Sequence, residues 1–252
     1  MNAPAALPTF SVVIPFYNEE GAVPGLLAEL RATMDRLGAA YEVILIDDGS
    51  RDGTAARLAA VAAGWPAARV IALGANQGQA AALLRGFREV RGTWIITLDG
   101  DGQNAPDDIP ALLAATQDCD MVVGIRAARR DTWLRRAMSH LANSVRGRIL
   151  GDHLRDSGCS LKVFRTEVVR SFFPIRSLYS FMPAMAIAAG HRVRELPVSH
   201  RERRSGVSKY GFGTFAWRPL MDTLALWWLL RCRPALRRRP QSGRPASTDV
   251  NY

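Results

Sequence analysis

Short apolar runs that alternate with longer helical stretches constrain the fold of this chain more than any other feature. Residues 43–46 and 94–98 are apolar almost without interruption, which is typical of strands buried on both faces of a parallel sheet. Ala- and Leu-rich stretches with apolar residues at helical spacing lie between such runs. This alternation predicts an α/β fold with a doubly wound, mostly parallel sheet. The predicted strands are 10–14, 41–46, 69–73, 93–98 and 120–125, and the predicted helices are 20–37, 52–63, 79–90 and 106–115.

The second half of the chain is less regular and contains no internal repeat. Its pattern predicts helices at 132–150, 167–172 and 181–189, a short element at 159–164 and a strand at 192–198. We expect residues 1–211 to form one catalytic domain, 212–233 an amphipathic helical segment, and 234–252 a disordered basic tail rich in Pro, Ser and Arg.

The amphipathic segment is strongly apolar, but Arg218, Pro219 and Asp222 interrupt it and leave an uninterrupted run only from 223 to 230. A bilayer span needs about 20 apolar residues, so this run is too short to cross a membrane. An interfacial helix fits better, with tryptophans at headgroup depth and arginines against anionic lipid. A helix that packs on the core or forms a dimer interface remains the alternative. The residues concerned are Trp217, Trp227, Trp228, Arg231, Arg233, Arg237, Arg238 and Arg239.

Charge is distributed unequally along the chain, whose formal net charge is +10. Residues 1–120 hold 8 arginines against 15 acidic residues, whereas residues 121–252 hold 25 basic against 8 acidic residues. The acidic half suits a divalent cation, and the basic half suits phosphates on a small ligand or a membrane surface. An arginine-rich composition alone is the plainer explanation, but it does not account for the positions of the two lysines, Lys162 and Lys209.

The sequence lacks the motifs that are typical of several protein classes. The three cysteines are far apart and form no C-x-x-C pair, so neither a disulfide framework nor a zinc site is predicted, and a reducing compartment is the default. Residues 1–10 lack the features of a secretory signal, so we expect no export. The sequence has no G-x-G-x-x-G after the first strand and no P-loop motif, which argues against dinucleotide oxidoreduction and P-loop hydrolysis.

Acidic and glycine residues follow three of the predicted strands, where ligands of open parallel sheets bind. The three motifs are P-F-Y-N-E-E at 15–20, D-D-G-S at 47–50 and D-G-D-G-Q at 99–103. Two carboxylates separated by one glycine can converge on a hard cation such as Mg²⁺ or Mn²⁺. Phosphate groups of the substrate then complete the coordination of the cation. Asp101 is the strongest ligand candidate, Gln103 can add an oxygen, and Asp99 can reach the metal or a ribose hydroxyl.

The ordered series of motifs resembles the family 2 inverting glycosyltransferases, specifically their polyprenyl-phosphate (dolichol-phosphate mannosyltransferase-like) branch. Besides the three strand-end motifs, the resemblance includes N-Q-G-Q-A-A-A-L-L-R-G-F at 76–87, G-I-R at 124–126, D-S-G-C at 156–159 and R-R-S-G-V-S-K-Y at 203–210. It extends over about residues 9–231. It implies a GT-A fold of the nucleotide-diphospho-sugar transferase type. It also implies transfer of a sugar from a UDP-sugar or GDP-mannose to dolichyl or undecaprenyl phosphate, with Mg²⁺ or Mn²⁺ as cofactor.

The resemblance also implies roles for individual residues. One group would bind the donor nucleotide, a second would hold the metal and diphosphate, and a third would contact donor or acceptor phosphate, with Asp101, Asp156 and Arg126 as the catalytic set. The donor group is Pro15, Tyr17, Glu19, Asp47, Asp48 and Asp99, the metal group is Asp99, Asp101 and Gln103, and the phosphate group is Arg126, Arg136, Arg203, Ser208 and Lys209.

Asp156 is the position where a general base could be assigned. A lipid monophosphate, however, has a second pKa of about 6 and is already mostly dianionic at neutral pH, so it needs no base. We therefore predict that Asp156 orients an arginine or the sugar. A saccharide or other hydroxyl acceptor would require a base and would make Asp156 the natural choice.

Many members of the polyprenyl-phosphate branch continue into membrane helices. For this sequence we expect peripheral contact at the cytoplasmic face of the membrane, the inner membrane in a bacterium, either through the amphipathic segment or through a separate membrane subunit. A non-catalytic membrane- or nucleic-acid-binding module is the remaining alternative. The intact carboxylates of all three strand-end motifs argue against it, and we expect no nucleic-acid partner.

Overall fold

The computed structural model describes residues 7–126, 147–152, 154–201 and 217–232, with only the backbone for 217–220. Seven strands form one mixed sheet with the order β3-β2-β1-β4-β6-β5-β7. All neighbouring strands pair in parallel except β6, which is antiparallel to both β4 and β5. The prediction of a mostly parallel α/β sheet is confirmed. The strands are β1 (Phe10–Phe16), β2 (Tyr41–Asp47), β3 (Ala68–Ala72), β4 (Trp94–Thr97), β5 (Met121–Arg126), β6 (Lys162–Arg165) and β7 (Val193–Val198).

Six α-helices accompany the sheet in the part of the chain that the structure describes, besides the helical residues 147–150. The first begins only at Val23, later than predicted, with Pro24 in its first turn where a missing N–H has no consequence. The helix predicted at 167–172 is instead a 3-10 segment, Thr166–Ser171. Most of the helix predicted at 132–150 lies outside the described residues, although 147–150 are helical. The helices are α1 (Val23–Arg36), α2 (Thr54–Ala63), α3 (Gln79–Phe87), α4 (Ile109–Ala114), α5 (Leu178–Ala188) and α6 (Trp217–Cys232).

Both faces of the sheet are covered, as the apolar runs predicted. Val12 points into a core that it shares with Leu30 of α1, and the next residue, Val13, points into a second core that includes Phe87 of α3. Successive strand residues alternate between faces, so a strand buried on both sides must be apolar throughout. Side chains of α1, α2 and α4 contribute to the first core, and those of α3, α5 and α6 contribute to the second.

Helix α6 packs one face against the second core and exposes another apolar face. Leu226 is fully buried, while Met221, Leu224 and Trp228 are 47%, 44% and 59% exposed. The alternative of a core-packing helix therefore holds for one face, and the other face remains apolar and open to solvent. Among the described residues, no helix combines the length and the apolar character that a bilayer crossing requires.

The reversed strand β6 determines which segment of the second half of the chain reaches the carboxyl edge of the sheet. In its register Lys162 lies between Thr97 of β4 and Val123 of β5. An antiparallel strand starts at the edge where its parallel neighbours end, so the segment before β6 arrives at the carboxyl edge of the sheet. The sequence predicted only a short element here, because the pairing of β6 depends on contacts distant in sequence.

Candidate active site

The three acidic motifs meet at one edge because β2, β1 and β4 are neighbours in the sheet. Tyr17 follows β1 directly, Asp47 is the last residue of β2, and Asp99 follows β4 by two residues. Gly49, with φ +69°, lets the turn after β2 approach the backbone of Ala75, since a Cβ there would lie 2.5 Å from the Ala75 carbonyl carbon. The structure thus brings together the predicted residues at the ends of β1, β2 and β4.

Side chains join the loop after β1 to the loop after β2. Asn18, in a left-handed conformation with φ +54°, donates its N–H to Ser50 Oγ at 3.0 Å and accepts the Arg51 N–H at 2.8 Å. The Glu19 N–H donates to Thr54 Oγ1 at 2.9 Å. These contacts fix the positions of the two loops that carry the predicted donor-binding residues.

Asp48 directs its carboxylate into the protein. Its Oδ1 accepts the Gln77 N–H at 2.7 Å, and its Oδ2 accepts the Gly78 N–H at 2.9 Å and the Asn76 amide at 3.0 Å. The residue is only 2% exposed. Its contacts hold the loop after β3, and a direct contact of Asp48 with the donor stays a prediction.

Asp99 and Asp101 form an acidic pair at the end of β4. Gln79, the first residue of α3, donates its side-chain amide to Asp99 Oδ1 at 2.6 Å, and Asp101 Oδ1 accepts the Gln103 N–H at 3.1 Å. Burial and then the charge of Asp101 raise the pKa of Asp99 to about 6. The two carboxylates are therefore close enough to repel each other, and a cation placed between them would relieve that repulsion.

The donor atoms at this loop suit a hard divalent cation whose coordination is shared with a substrate. Asp99, Asp101 and Gln103 offer oxygen only, which Mg²⁺ and Mn²⁺ prefer. No cluster of three or more His, Cys, Asp or Glu side chains that could hold a metal occurs in the described ranges. A protein-only metal cage is thus not built there, whereas magnesium sites completed by substrate phosphates need only one or two carboxylates.

Arg126, the last residue of β5, forms a two-pronged ion pair with Asp156. Arg126 Nε lies 2.8 Å from Asp156 Oδ2, and Nη2 lies 2.8 Å from Oδ1. The Arg126 and Gly158 N–H groups also donate to this carboxylate. Burial alone would lower the pKa of Arg126, but the hydrogen bonds and charge of Asp156 raise it above its usual value. Asp156 is thus the ion-pair partner of Arg126, and its orienting role in the reaction stays a prediction.

A buried lysine lies beneath the site. Lys162 is 1% exposed, its Nζ donates to the Cys159 carbonyl, and burial lowers its pKa although Asp99 and Asp156 oppose that shift. It lines a small cavity together with Gln79, Asp99 and Ser160. In the sequence Lys162 stands out only as one of two lysines, and Gln79 lies inside the motif at 76–87 without a predicted role. Gln79, Ser160 and Lys162, which line this cavity beside Asp99, had no predicted role in the site.

The sequence profile described as glycosyl transferase family 2 matches residues 11–173 of this chain. The chain belongs to glycosyl transferase family 2. Among curated relatives, this family 2 chain is 42% identical over 204 residues to an undecaprenyl-phosphate 4-deoxy-4-formamido-L-arabinose transferase of Edwardsiella ictaluri, which covers 80% of this chain and 62% of the relative. An enzyme with the same name from Pseudomonas aeruginosa PAO1 is 42% identical over 209 residues, with coverages of 82% and 62%. The chain therefore spans about 62% of the length of these relatives.

Solved structures confirm the fold of the family 2 chain. Glucosyl-3-phosphoglycerate synthase from Mycobacterium tuberculosis, in complex with Mn²⁺, UDP-glucose and phosphoglyceric acid, superposes with a TM-score of 0.64 at 20% identity, covering 87% of this chain and 79% of that one. The same enzyme with Mg²⁺ and UDP gives a TM-score of 0.65 with the same coverages. The GT-A architecture implied by the sequence resemblance is thereby confirmed.

Part of the predicted phosphate group lies outside the described residues of this family 2 member. Arg136, Arg203, Ser208 and Lys209 belong to that part, so their roles stay predictions. Arg201, the last residue of the described range 154–201, donates its N–H to the Gln103 carbonyl at 2.9 Å.

Proposed function

We propose that this protein transfers a sugar, with inversion, from a nucleotide-diphosphate donor to a polyprenyl phosphate. One observation carries the proposal: the carboxylate pair Asp99–Asp101 and the Arg126–Asp156 ion pair lie at the same edge of the sheet. The names of the curated relatives, which are undecaprenyl-phosphate sugar transferases, support the acceptor. The fold neighbour that was solved with Mn²⁺ and UDP-glucose supports the donor class and the metal.

On the donor side, the task is to stabilise negative charge that develops on the leaving diphosphate. Asp99, Asp101 and Gln103 would hold the Mg²⁺ or Mn²⁺ ion, which when bound supplies positive charge to that diphosphate. The protein contributes the fixed geometry: Gln79 sets Asp99, and the Gln103 N–H sets Asp101. Groups positioned before the reaction need not reorganise as charge develops, which lowers the barrier. The proposed donors are UDP-sugars and GDP-mannose.

On the acceptor side, the structure favours a phosphate nucleophile over a hydroxyl group. Both oxygens of Asp156 are engaged by Arg126, which is itself only 16% exposed at its side chain. A planar guanidinium held in this way keeps its remaining N–H groups in a fixed direction for a phosphate. Asp156 thus orients Arg126, and the dianionic acceptor attacks without a general base.

A comparison of Asp156→Asn with the wild type distinguishes the orienting role from a base. The amide retains one acceptor oxygen, so we expect a higher KM for the lipid phosphate and the same pH optimum. Loss of nearly all turnover together with a shift of the pH optimum by about one unit or more would restore the base assignment and favour a hydroxyl acceptor.

We propose that the exposed face of α6 contacts the membrane at its cytoplasmic side. Met221, Leu224 and Trp228 recur at helical spacing and are exposed, and Arg231 stacks over Trp227 with its Cζ 4.5 Å from the ring centroid. An apolar stripe with tryptophan and adjacent arginine suits an anionic bilayer surface. Attachment through a separate membrane subunit is the competing route.

Cosedimentation with phosphatidylglycerol vesicles tests this contact. Leu224→Ser should reduce the bound fraction severalfold, whereas Leu7→Ser removes an equally apolar side chain that is 75% exposed far from α6 in sequence and should not. Equal binding by both variants, or no binding by the wild type, would leave the separate subunit as the route.

The decisive experiment for the function measures product formation from UDP- and GDP-sugars in the presence of Mn²⁺, with undecaprenyl phosphate and soluble saccharides as competing acceptors. We expect glycosyl undecaprenyl phosphate as the product, and no turnover by Asp101→Asn. Transfer to saccharides alone would support the hydroxyl-acceptor alternative. Absence of any transfer together with absence of nucleotide binding would refute the proposal.

A further inference from the structure

We infer that Asp48 and Gln79 are positioning residues that together fix the orientation of Asp99, and that Asp48 acts from the interior rather than as a ligand of the donor. The inference rests on the proposed donor site, because it concerns the carboxylate that this site presents to the metal and the nucleotide. It goes beyond the resemblance, which implied a donor contact for Asp48 and no role for Gln79.

Asp48 holds the loop after β3 through hydrogen bonds to its carboxylate. Gln77 and Gly78 donate their N–H groups to separate oxygens of the Asp48 carboxylate, at 2.7 and 2.9 Å. Asn76 adds its side-chain amide to Oδ2 at 3.0 Å. Two backbone donors on two oxygens fix both the position and the rotation of this short loop.

Gly78 joins the loop after β3 to the start of α3. Gly78 has φ +92°, a conformation that L side chains rarely adopt, and α3 begins at the following residue, Gln79. The point at which α3 starts is therefore set by the residue that Asp48 holds. The Ala82 N–H returns to the Gly78 carbonyl at 3.1 Å, which ties the first turn of the helix to the same residue.

Gln79 contacts Asp99 through its side-chain amide. Its Nε2 lies 2.6 Å from Asp99 Oδ1, so the amide occupies one oxygen of the carboxylate. A hydrogen bond to a charged acceptor is short and directional, and it holds the acceptor in one rotamer. Asp48 and Asp99 are thereby connected through three residues, 77–79, although they follow different strands of the sheet.

Asp48 is poorly suited to bind a ligand itself. It is 2% exposed, and three protein donors already occupy its oxygens. A carboxylate buried with this many donors satisfies its own hydrogen-bonding needs within the protein. Asp99, by contrast, lines the small cavity of the site, and its side-chain donors are Gln79, which contacts a single carboxylate oxygen, and Ser160.

Isothermal titration of UDP and of GDP, each with Mn²⁺, tests the connection in a double-mutant cycle. Gln79→Met and Asp48→Asn should each weaken binding of the preferred nucleotide by about tenfold, which is the size of one lost hydrogen bond to a charged group. The double variant should be no weaker than Gln79→Met alone, because both substitutions act on the same carboxylate. Gln77→Met is the matched control, since its side chain is exposed and, within the described ranges, has the Leu73 carbonyl at 3.5 Å as its hydrogen-bond partner. It should change affinity less than twofold.

Hydrogen–deuterium exchange of the ligand-free protein gives a second measurement that does not depend on nucleotide binding. Asp48→Asn should speed exchange at the amides of Gln77 and Gly78, and Gln79→Met should leave these two amides protected. Should Asp48→Asn fold poorly, Gln79→Met and Gln77→Met still decide the nucleotide part.

Three results would overturn the inference: wild-type affinity in Gln79→Met, additive losses in the double variant, or unchanged exchange at Gln77 and Gly78 in Asp48→Asn. A wild-type protein that binds neither nucleotide counts against the proposed function instead, and the exchange experiment then decides the role of Asp48 alone.

Discussion

Replacing Asp99 with asparagine should make the metal-free protein more stable at neutral pH. Burial and the neighbouring charge of Asp101 raise the pKa of Asp99 from 3.8 to about 6. Since a difference of one pKa unit corresponds to about 1.4 kcal/mol, keeping this carboxylate ionised at pH 7 costs up to about 3 kcal/mol of folding free energy. Asparagine retains an oxygen for the Gln79 amide, so the substitution removes the charge and keeps the hydrogen bond.

The sign of the pH dependence follows from the direction of the shift. Between about pH 4 and pH 6 the folded protein holds a proton on Asp99 that the unfolded chain has lost, so this group makes the free energy of unfolding fall as pH rises. Below that window the wild type and Asp99→Asn should differ little. Above it the variant should be more stable by about 2–3 kcal/mol.

Urea unfolding followed by tryptophan fluorescence, in EDTA and at several pH values, measures this difference. Asp118→Asn removes an exposed carboxylate with the same change of net charge and serves as the control. Addition of Mn²⁺ with the nucleotide should stabilise the wild type and not Asp99→Asn. A variant that is no more stable than the wild type at pH 7, or a difference that does not change with pH, would refute the reasoning.

Three further substitutions test the geometry of the site and of α6. Gly158→Ala would place a Cβ 2.9 Å from Arg126 Nη2, so kcat/KM for the lipid phosphate should fall about tenfold or more. An unchanged kcat/KM would show that the reaction does not need the ion pair in its present position. Gly100→Ala would bring a Cβ to 2.4 Å from Phe16 Cδ1 and displace the loop that carries Asp99 and Asp101. Calorimetry should therefore show weaker binding of Mn²⁺ with the nucleotide, and wild-type affinity would contradict this expectation. Leu226→Ala should lower the free energy of unfolding by about 2–5 kcal/mol in urea, and a loss below about 1 kcal/mol would mean that α6 does not pack on the core.

The strands of the first half could be predicted because their signal is local. Residues such as Val43 to Ile46 are buried on both faces, and burial on both faces leaves a continuous apolar run in the sequence. The strand-end acids could be found for the same reason, since ligands of parallel sheets bind where strands end. The short strand β6 could not be assigned, because its place between β4 and β5 depends on partners about 40 to 70 residues away in sequence.

Roles within the site were harder to predict than its location. The motif D-D-G-S does not reveal whether Asp48 faces a ligand or the protein, because the answer depends on the loop after β3, about 30 residues later. Lys162 and Gln79 carried no local signal either, since their contacts with the Cys159 carbonyl and with Asp99 exist only in the folded chain. An orienting role for Asp156 follows from the chemistry of a dianionic acceptor without knowledge of its partner, and it stays a prediction.

The reversed strand β6 explains how two kinds of segment reach one edge of the sheet. A purely parallel sheet offers this edge only loops that follow strands, and here those loops bring the acidic residues at the ends of β1, β2 and β4. An antiparallel strand offers the same edge the segment that precedes it, and this segment carries Asp156 to Arg126 at the end of β5. Arg126 and Asp156 therefore reach this edge from opposite chain directions, one at the end of a strand and the other ahead of a strand, and they meet there as an ion pair.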